Sequence, residues 1–446
     1  MNKTLFTIVA CLATLSISST AQGQGRTLAR LFWQDDADAR LRWGDLKKNS
    51  DGFHLIANEI DQFPDLDPSE QSLVQMQGQD GMIVLGIHDQ DSGTIGSGWV
   101  AIESGVIEEP HGDHSHWRYK SPPSVTHTMI DDAQGNPAHV YRYGKSIVLA
   151  NDKHNGFTIV SSDSIRQAKT PEQAASFHAG GNGHITLAVV DDRVAYATWI
   201  AGADEDAGRI DVVGLGNNAG KQYAIHCPTG TLHGATTNSG KVFFAPSDGL
   251  CWVDADLDMT GSSETVEVKH LSLGEDSDSK PLRTGAFANL DSHVLFTAGK
   301  SEHSKLCVVN AADAQPSLTE LKLSLSEGQS AATPIAMKTA TADLVACLFV
   351  ESVENPETDS LIIVRLDRNR DGDFHDLLIQ ATVPVGRNQI IGHAGHHDAV
   401  LLPGGRRIAI TNPGDQSVWV LSSSDFSVQA KLPLTGTPTR LLSFGG

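Results

Sequence analysis

Ten residues, Glu108-Glu109-Pro110-His111-Gly112-Asp113-His114-Ser115-His116-Trp117, hold three imidazoles and three side-chain carboxylates. Pro and Gly interrupt the stretch and no periodicity would bury it, so it reads as a solvated loop. Imidazoles spaced H-x-x-H-x-H on such a loop have enough slack for two or three nitrogens to converge at about 2.0–2.1 Å from a zinc ion. His111, His114 and His116, together with Asp113, are therefore candidate metal ligands. A plain polar connector between two strands would have the same composition, so the rest of the chain has to decide between the two.

The elements around that loop are short strands. From residue 27 onward there is almost no helical periodicity, and short apolar or alternating runs are separated by Gly, Asp, Asn and Ser. Lys145–Asn151, Arg193–Thr198, Lys241–Ala245, His293–Thr297, Asp343–Phe349 and Arg407–Thr411 are examples, each preceded by a similar opening segment about ten residues earlier. The opening segments start near Ser72, His139, His184, His233, Gly285, Thr333, His397 and Pro438. Intervals of roughly 40–50 residues are those of four-stranded propeller blades. Two intervals are longer. One contains the histidine-rich loop, and the other contains two extensions, Asn355–Ser360 and Asp367–Asp376.

The last segment, Thr437–Phe444, is one strand without companions. Those companions stand at the other end of the chain, in Ala29–Trp33, Arg40–Trp43 and Phe53–Ile56. Sharing one blade between the two termini removes the exposed sheet edge. The chain thus reads as an all-β propeller over residues 27–446, with eight blades and seven as the alternative. Thr411–Leu421, Phe426–Pro433 and Gly436–Arg440 also resemble the repeat of bacterial YVTN-type propellers, which bears on fold and not on activity.

In this register four of the eight opening positions are histidine: His139, His184, His233 and His397. The innermost strand of a blade begins at one mouth of the central channel, so a ring of imidazoles is expected there, with three of them from consecutive blades. His178, His393, His396 and Asp398 lie close by in sequence. One histidine opening a strand after Gly is ordinarily a turn residue bonded to a carbonyl. Four at one structural position point to a metal, and three neutral imidazoles with a carboxylate or water make a tetrahedral zinc site.

Bulk properties narrow the setting. Lys3, the apolar Leu5–Leu15 and the small residues Ser19-Thr20-Ala21 read as an export leader over residues 1–21, so the mature chain is expected to be exported. Ile8-Val9-Ala10-Cys11 has the pattern of a lipoprotein box, but the apolar run before Cys11 is too short to favour lipid anchoring. After residue 25 no apolar run is long enough to cross a bilayer. With 33 Lys+Arg against 54 Asp+Glu, the net charge of −21 argues against nucleic acid and anionic membranes and favours cations. Four cysteines remain after the leader: Cys227 and Cys251 are expected to form a disulfide, Cys307 and Cys347 to be buried thiols.

A separate candidate is Asp367, Asn369, Asp371, Asp373 and Asp376, which open like a D-x-N-x-D-G calcium loop. Position twelve is Leu378 in place of the bidentate Glu, so a calcium-stapled turn and an ordinary acidic turn both fit. No G-x-S-x-G, H-E-x-x-H or phosphate-binding glycine loop is present, and no nucleophile has an identifiable partner.

Glu108–His116, Pro137-Ala138-His139-Val140, Cys227-Pro228-Thr229-Gly230-Thr231-Leu232-His233-Gly234 and Gly436–Gly446 together resemble the AztD-type periplasmic zinc metallochaperones, in order from about Leu31 to the C-terminus. The resemblance implies a β-propeller that hands zinc to the solute-binding protein of an ABC importer. It also implies that His111, His114 and His116 form a mobile site, while His139, His184 and His233 form a held one, with His397 as an additional candidate. The extensions before His397 and the calcium-like loop depart from that pattern. The chain is therefore expected to be a monomeric, non-enzymatic zinc carrier. The alternatives are a metal-dependent or lactonase-like hydrolase at the channel, or an interaction propeller whose histidines merely pack.

Overall fold

Along Arg26–Asp35 the side chains alternate between two apolar surroundings. Leu31 and Trp33 pack with Ala409, Val418 and Val420 on one side, whereas Phe32 packs with Ile83, Leu85 and Val100 on the other. Successive strand residues point to opposite faces, so this sheet is apolar on both faces and has to sit between two others. The same holds around the chain, and the result is a ring of sheets. The computed structural model describes residues 25–90, 94–112 and 114–445, the side chains of His114 and Ser115 excepted.

The ring is an eight-bladed, all-β propeller. Blade 1 is closed across the termini: Pro438–Phe444 is its innermost strand and pairs antiparallel with Arg26–Asp35, followed outward by Arg40–Asn49. The innermost strands of blades 2 to 8 are Gln71–Gln79, Pro137–Tyr143, Leu187–Val190, Ala235–Asn238, Ala288–Leu290, Ile335–Lys338 and Ala399–Leu401. Each begins within a few residues of an opening position read from the sequence, and His184 and His233 lie just ahead of their strands. The two extensions of blade 7 are loops joining its second strand to its third and its third to its fourth. Among the described residues no helix is long and apolar enough to cross a membrane. The leader and Cys11 lie outside the described residues.

Two hydrogen bonds show that neighbouring innermost strands run the same way. His88 Nδ1 meets the Pro137 carbonyl oxygen at 3.1 Å where blades 2 and 3 begin, and Gln79 Nε2 donates to the Gly144 oxygen at 3.3 Å where those strands end. The propeller therefore has an upper face, where innermost strands begin, and a lower face, where they end.

All four cysteines of the described residues are free and buried. The disulfide expected between Cys227 and Cys251 is therefore corrected. The two side chains share one apolar cluster with Tyr196, Ile225 and Phe244 and meet as hydrogen-bonded thiols. That contact, followed by burial, raises the Cys227 thiol well above its ordinary range. Cys307 and Cys347 are the buried thiols expected, each pushed up to about 12 by burial.

Leu31 is fully buried between blades 8 and 1. Leu31→Ala is expected to cost about 2–5 kcal/mol, read as a lowered midpoint in denaturant unfolding. A loss below about 1 kcal/mol would mean that this seam does not hold the ring closed.

Candidate metal centre

His139, His184 and His233 converge at the upper mouth of the channel. Each is half-buried, and one ligand nitrogen from each lies within 4.8 Å of the others. A register shift between Pro137 and His139 marks a bulge at the start of blade 3, the kind of irregularity that re-aims a side chain. The backbone of His233 is fixed by its own N–H to the Ala245 oxygen at 3.1 Å and by the Gly234 N–H to Thr186 Oγ1 at 3.1 Å. Gly234 has φ +149°, and a Cβ there would lie 2.8 Å from the Gly285 oxygen, so only glycine lets this turn approach blade 6.

Two of the outward-facing nitrogens have acceptors. Asp152, on the turn after the second strand of blade 3, places Oδ2 2.8 Å from His184 Nδ1 and accepts the Ile185 N–H on Oδ1 at 2.9 Å. His233 Nδ1 faces the Gly285 carbonyl oxygen at 3.2 Å. A carboxylate or carbonyl behind an imidazole selects the tautomer that leaves Nε2 facing inward with its lone pair, which is the usual arrangement behind metal-bound histidine. With Nδ1 of His184 donating to Asp152, His184 Nε2 accepts from His139 Nε2 at 2.9 Å. Ligands at zinc distances around a tetrahedron stand about 3.3 Å apart, so a shift of a few tenths of an ångström would let a cation replace that shared proton.

Burial holds two of the three imidazoles toward the neutral form. Burial, then the neighbouring His184 and His233, holds the His139 pKa down to about 3. Burial also lowers His233, against the opposing hydrogen bond to Gly285. Neutral imidazole is the form that binds metal.

His397 does not join this group. It lies buried between blades 7 and 8, stacked on Phe349, with Nδ1 2.7 Å from the Thr411 carbonyl oxygen and Nε2 3.1 Å from Asp359 Oδ2. Both ring nitrogens are turned to acceptors, so neither lone pair is offered to a cation. His396 faces Glu351 at 2.7 Å, and His178 stacks on Phe157 in the outermost strand of blade 3. Asp398 accepts the N–H groups of Leu441 and Ala399, both at 2.8 Å.

The histidine-rich stretch is a two-stranded hairpin in place of an irregular loop, with Val106–His111 as the outgoing strand and His114–Tyr119 as the return strand. Gly112, at φ +64°, supplies the conformation that a tight hairpin turn requires. His111 and His116 are exposed with ring centroids 5.5 Å apart, and Glu109 pairs opposite His116. Asp113 and the side chain of His114 lie outside the described residues. The hairpin joins the third and fourth strands of blade 2, so it leaves from the lower face. Its base is tied there by Arg30, which donates to the carbonyl oxygens of Ser104 and Ser121 at 2.9 and 2.6 Å. The two histidine sets therefore emerge at opposite ends of the propeller.

In the calcium-like loop the acidic side chains turn onto backbone N–H groups. Asp367 accepts from Asp371 and Gly372, Asn369 from Asp371, Asp371 from Asp373, and Asp376 from Arg368 and Asn369. Among the described residues only the histidine triad gathers as a metal-holding group. Asp152 was invisible to sequence reasoning, because nothing in Asp152-Lys153-His154 sets it apart from other strand-end turns.

Fold and site together define a class: an eight-bladed β-propeller with a histidine triad at one channel mouth. Within it, the chain is similar to AztD of Citrobacter koseri, with a TM-score of 0.61 at 15% identity over 94% of this chain and 99% of that one. A second structure, apo AztD of the same organism, gives 0.59 at 14% identity with the same coverage. A proposed 6-phosphogluconolactonase of Bacteroides uniformis gives 0.50 at 9%, over 94% of this chain and 100% of that one. These likenesses establish the fold. No protein-family model matches the chain, and no curated protein matches it.

Asp152→Ala is expected to weaken zinc binding by about 10–100-fold, measured by competition with a chromogenic chelator, with the unfolding midpoint of the metal-free protein little changed. Unaltered affinity would remove Asp152 from the site. The depressed pKa of His139 has a second consequence. Below its ordinary value of 6.5 the unfolded chain takes up a proton that the folded site refuses. The metal-free protein should therefore lose stability from pH 6.5 toward 3, and His139→Gln should flatten that slope. Parallel pH–stability curves for the two proteins would contradict it.

Proposed function

We propose that this chain is an exported zinc carrier that binds the ion at His139, His184 and His233 and passes it to a periplasmic partner such as the solute-binding protein of an ABC importer. The observation that carries the reading is the convergence of three imidazoles, two of which already turn their outward nitrogens to a carboxylate and a carbonyl. Packing alone would not require the rings to bring their nitrogens together. Zinc is favoured among divalent ions by an all-imidazole donor set with room for a fourth ligand. The AztD-like fold and the net charge of −21 support the same reading.

Transfer proceeds by ligand exchange. Imidazoles are neutral and leave one at a time, so the ion need never be free in solution. The exposed hairpin with His111, His114 and His116 is a second, looser binding place on the lower face, where it meets partners without crowding the triad. Calcium in the Asp367–Asp376 loop is a structural ion at most, since its carboxylates already hold the turn together.

The second reading is a metal-dependent or lactonase-like hydrolase. A three-histidine site with an open position activates water in many enzymes, and the Bacteroides uniformis propeller shares the fold. An interaction propeller with packed histidines is the third reading.

A zinc competition titration separates them, run on the mature protein and on a variant with His111, His114 and His116 changed to Ala. Submicromolar binding that partly survives the change is the expected result, together with zinc uptake by an added chelating partner faster than dissociation allows. Turnover of lactones or esters by the zinc-loaded protein would favour the hydrolase. No competitive binding in either protein would end the carrier reading.

A further inference from the structure

His184 and His233 come from different blades, and one buried hydroxyl joins the chain segments that carry them. Thr186, two residues after His184, is 1% exposed, and its Oγ1 accepts the N–H of Gly234, next to His233, at 3.1 Å. Thr198, the last residue of the second strand of blade 4, is fully buried and meets Thr186 three times. Its Oγ1 accepts the Thr186 N–H at 3.0 Å, its hydroxyl donates to the Thr186 carbonyl oxygen at 2.9 Å, and the two hydroxyl oxygens stand 2.9 Å apart. A carbonyl oxygen only accepts, so the Thr198 proton is committed there and the proton between the hydroxyls belongs to Thr186. The Thr186 oxygen is left to accept, and Gly234 is the donor it meets.

We propose that Thr186 is a positioning residue that sets the separation of His184 and His233, and with it the size of ion the triad accepts. This rests on the triad being the metal site. The two rings lie with centroids 5.0 Å apart. Asp152 holds His184 to blade 3, by the ring and by the next N–H. His233 is held to the second strand of blade 5: its N–H donates to the Ala245 oxygen at 3.1 Å, and the Gly234 oxygen accepts the Ala245 N–H at 3.0 Å. The Thr186 hydroxyl holds the one segment against the other.

The propeller does not itself require this group. Two residues after the other opening histidines stand Tyr141, Ala235 and Ala399, and of the four only blade 4, the middle one of the triad, carries threonine. Without the hydroxyl the Gly234 N–H would be buried with no acceptor, a cost the turn avoids only by moving. It already lies close against blade 6, where a Cβ on Gly234 would stand 2.8 Å from the Gly285 oxygen, so relief comes by a movement that changes its distance from His184. Zinc holds imidazole nitrogens at about 2.0–2.1 Å. Cadmium, a larger ion that also takes nitrogen ligands, is less demanding of a short separation.

The test titrates zinc and cadmium, each against a chromogenic chelator, in the full chain and in two variants, Thr186→Val and Thr186→Ser. Thr186→Val is expected to lose about tenfold in zinc affinity and less in cadmium affinity, so the zinc-to-cadmium ratio falls, while Thr186→Ser keeps the parent ratio. A threonine that only supports the fold would lower the unfolding midpoint of Thr186→Val and leave the ratio unchanged, which would overturn the assignment while leaving the triad standing. Amide hydrogen exchange on the metal-free parent needs no variant. Gly234 is expected to exchange slowly, and exchange as fast as in an exposed turn would overturn the proposal even where Thr186→Val fails to fold. A parent protein that binds neither zinc nor cadmium would overturn both it and the metal reading beneath it.

Discussion

Every blade of this chain is apolar on both faces, and the ring exists because no blade can be left at an end. The pairing of Pro438–Phe444 with Arg26–Asp35 satisfies that requirement. It buries Leu31 and Trp33 against blade 8 and Phe32 against blade 2. Once the ring is closed, the start of each innermost strand has a fixed place on one rim. The histidine triad inherits its geometry from that circle, since His139, His184 and His233 belong to three consecutive blades and no local motif brings them together.

What the rim supplies is position, and what the blades supply is orientation. The bulge before His139, the Asp152 carboxylate behind His184 and the Gly285 carbonyl behind His233 are three different local devices with one outcome. Each holds a ring so that its inward nitrogen faces the axis. The cost is that burial, and after it the neighbouring imidazoles, oppose protonation of His139, whose pKa is held down.

The fold was legible because a repeat writes the same burial pattern many times, and the closure across the termini followed from one strand with no partners nearby. The triad was legible for the same reason, as histidine recurring at one position of the repeat. His397 shows where that logic fails. It occupies the equivalent position in blade 8, but the long loop of blade 7 brings Asp359 beneath it, and a buried carboxylate holds the ring away from the axis. Sequence spacing carries no record of that carboxylate. Cys227 and Cys251 were correctly placed side by side, and covalent bonding did not follow from proximity. The histidine-rich stretch looked irregular because its strands lack alternating burial, which an exposed two-stranded ribbon does not need.

That ribbon is an insertion whose two ends meet. Lys120 donates its backbone N–H to the Gly105 oxygen at 2.9 Å, and Arg30 clamps Ser104 and Ser121 together from blade 1. The intervening residues contribute no strand to a blade. Closing a loop costs free energy that grows only slowly with its length, so the ring is indifferent to how long the ribbon is or what it carries. The molecule is thus modular in a physical sense: a rigid frame with one cassette that selection can lengthen, recharge or remove while the frame and its channel stay the same.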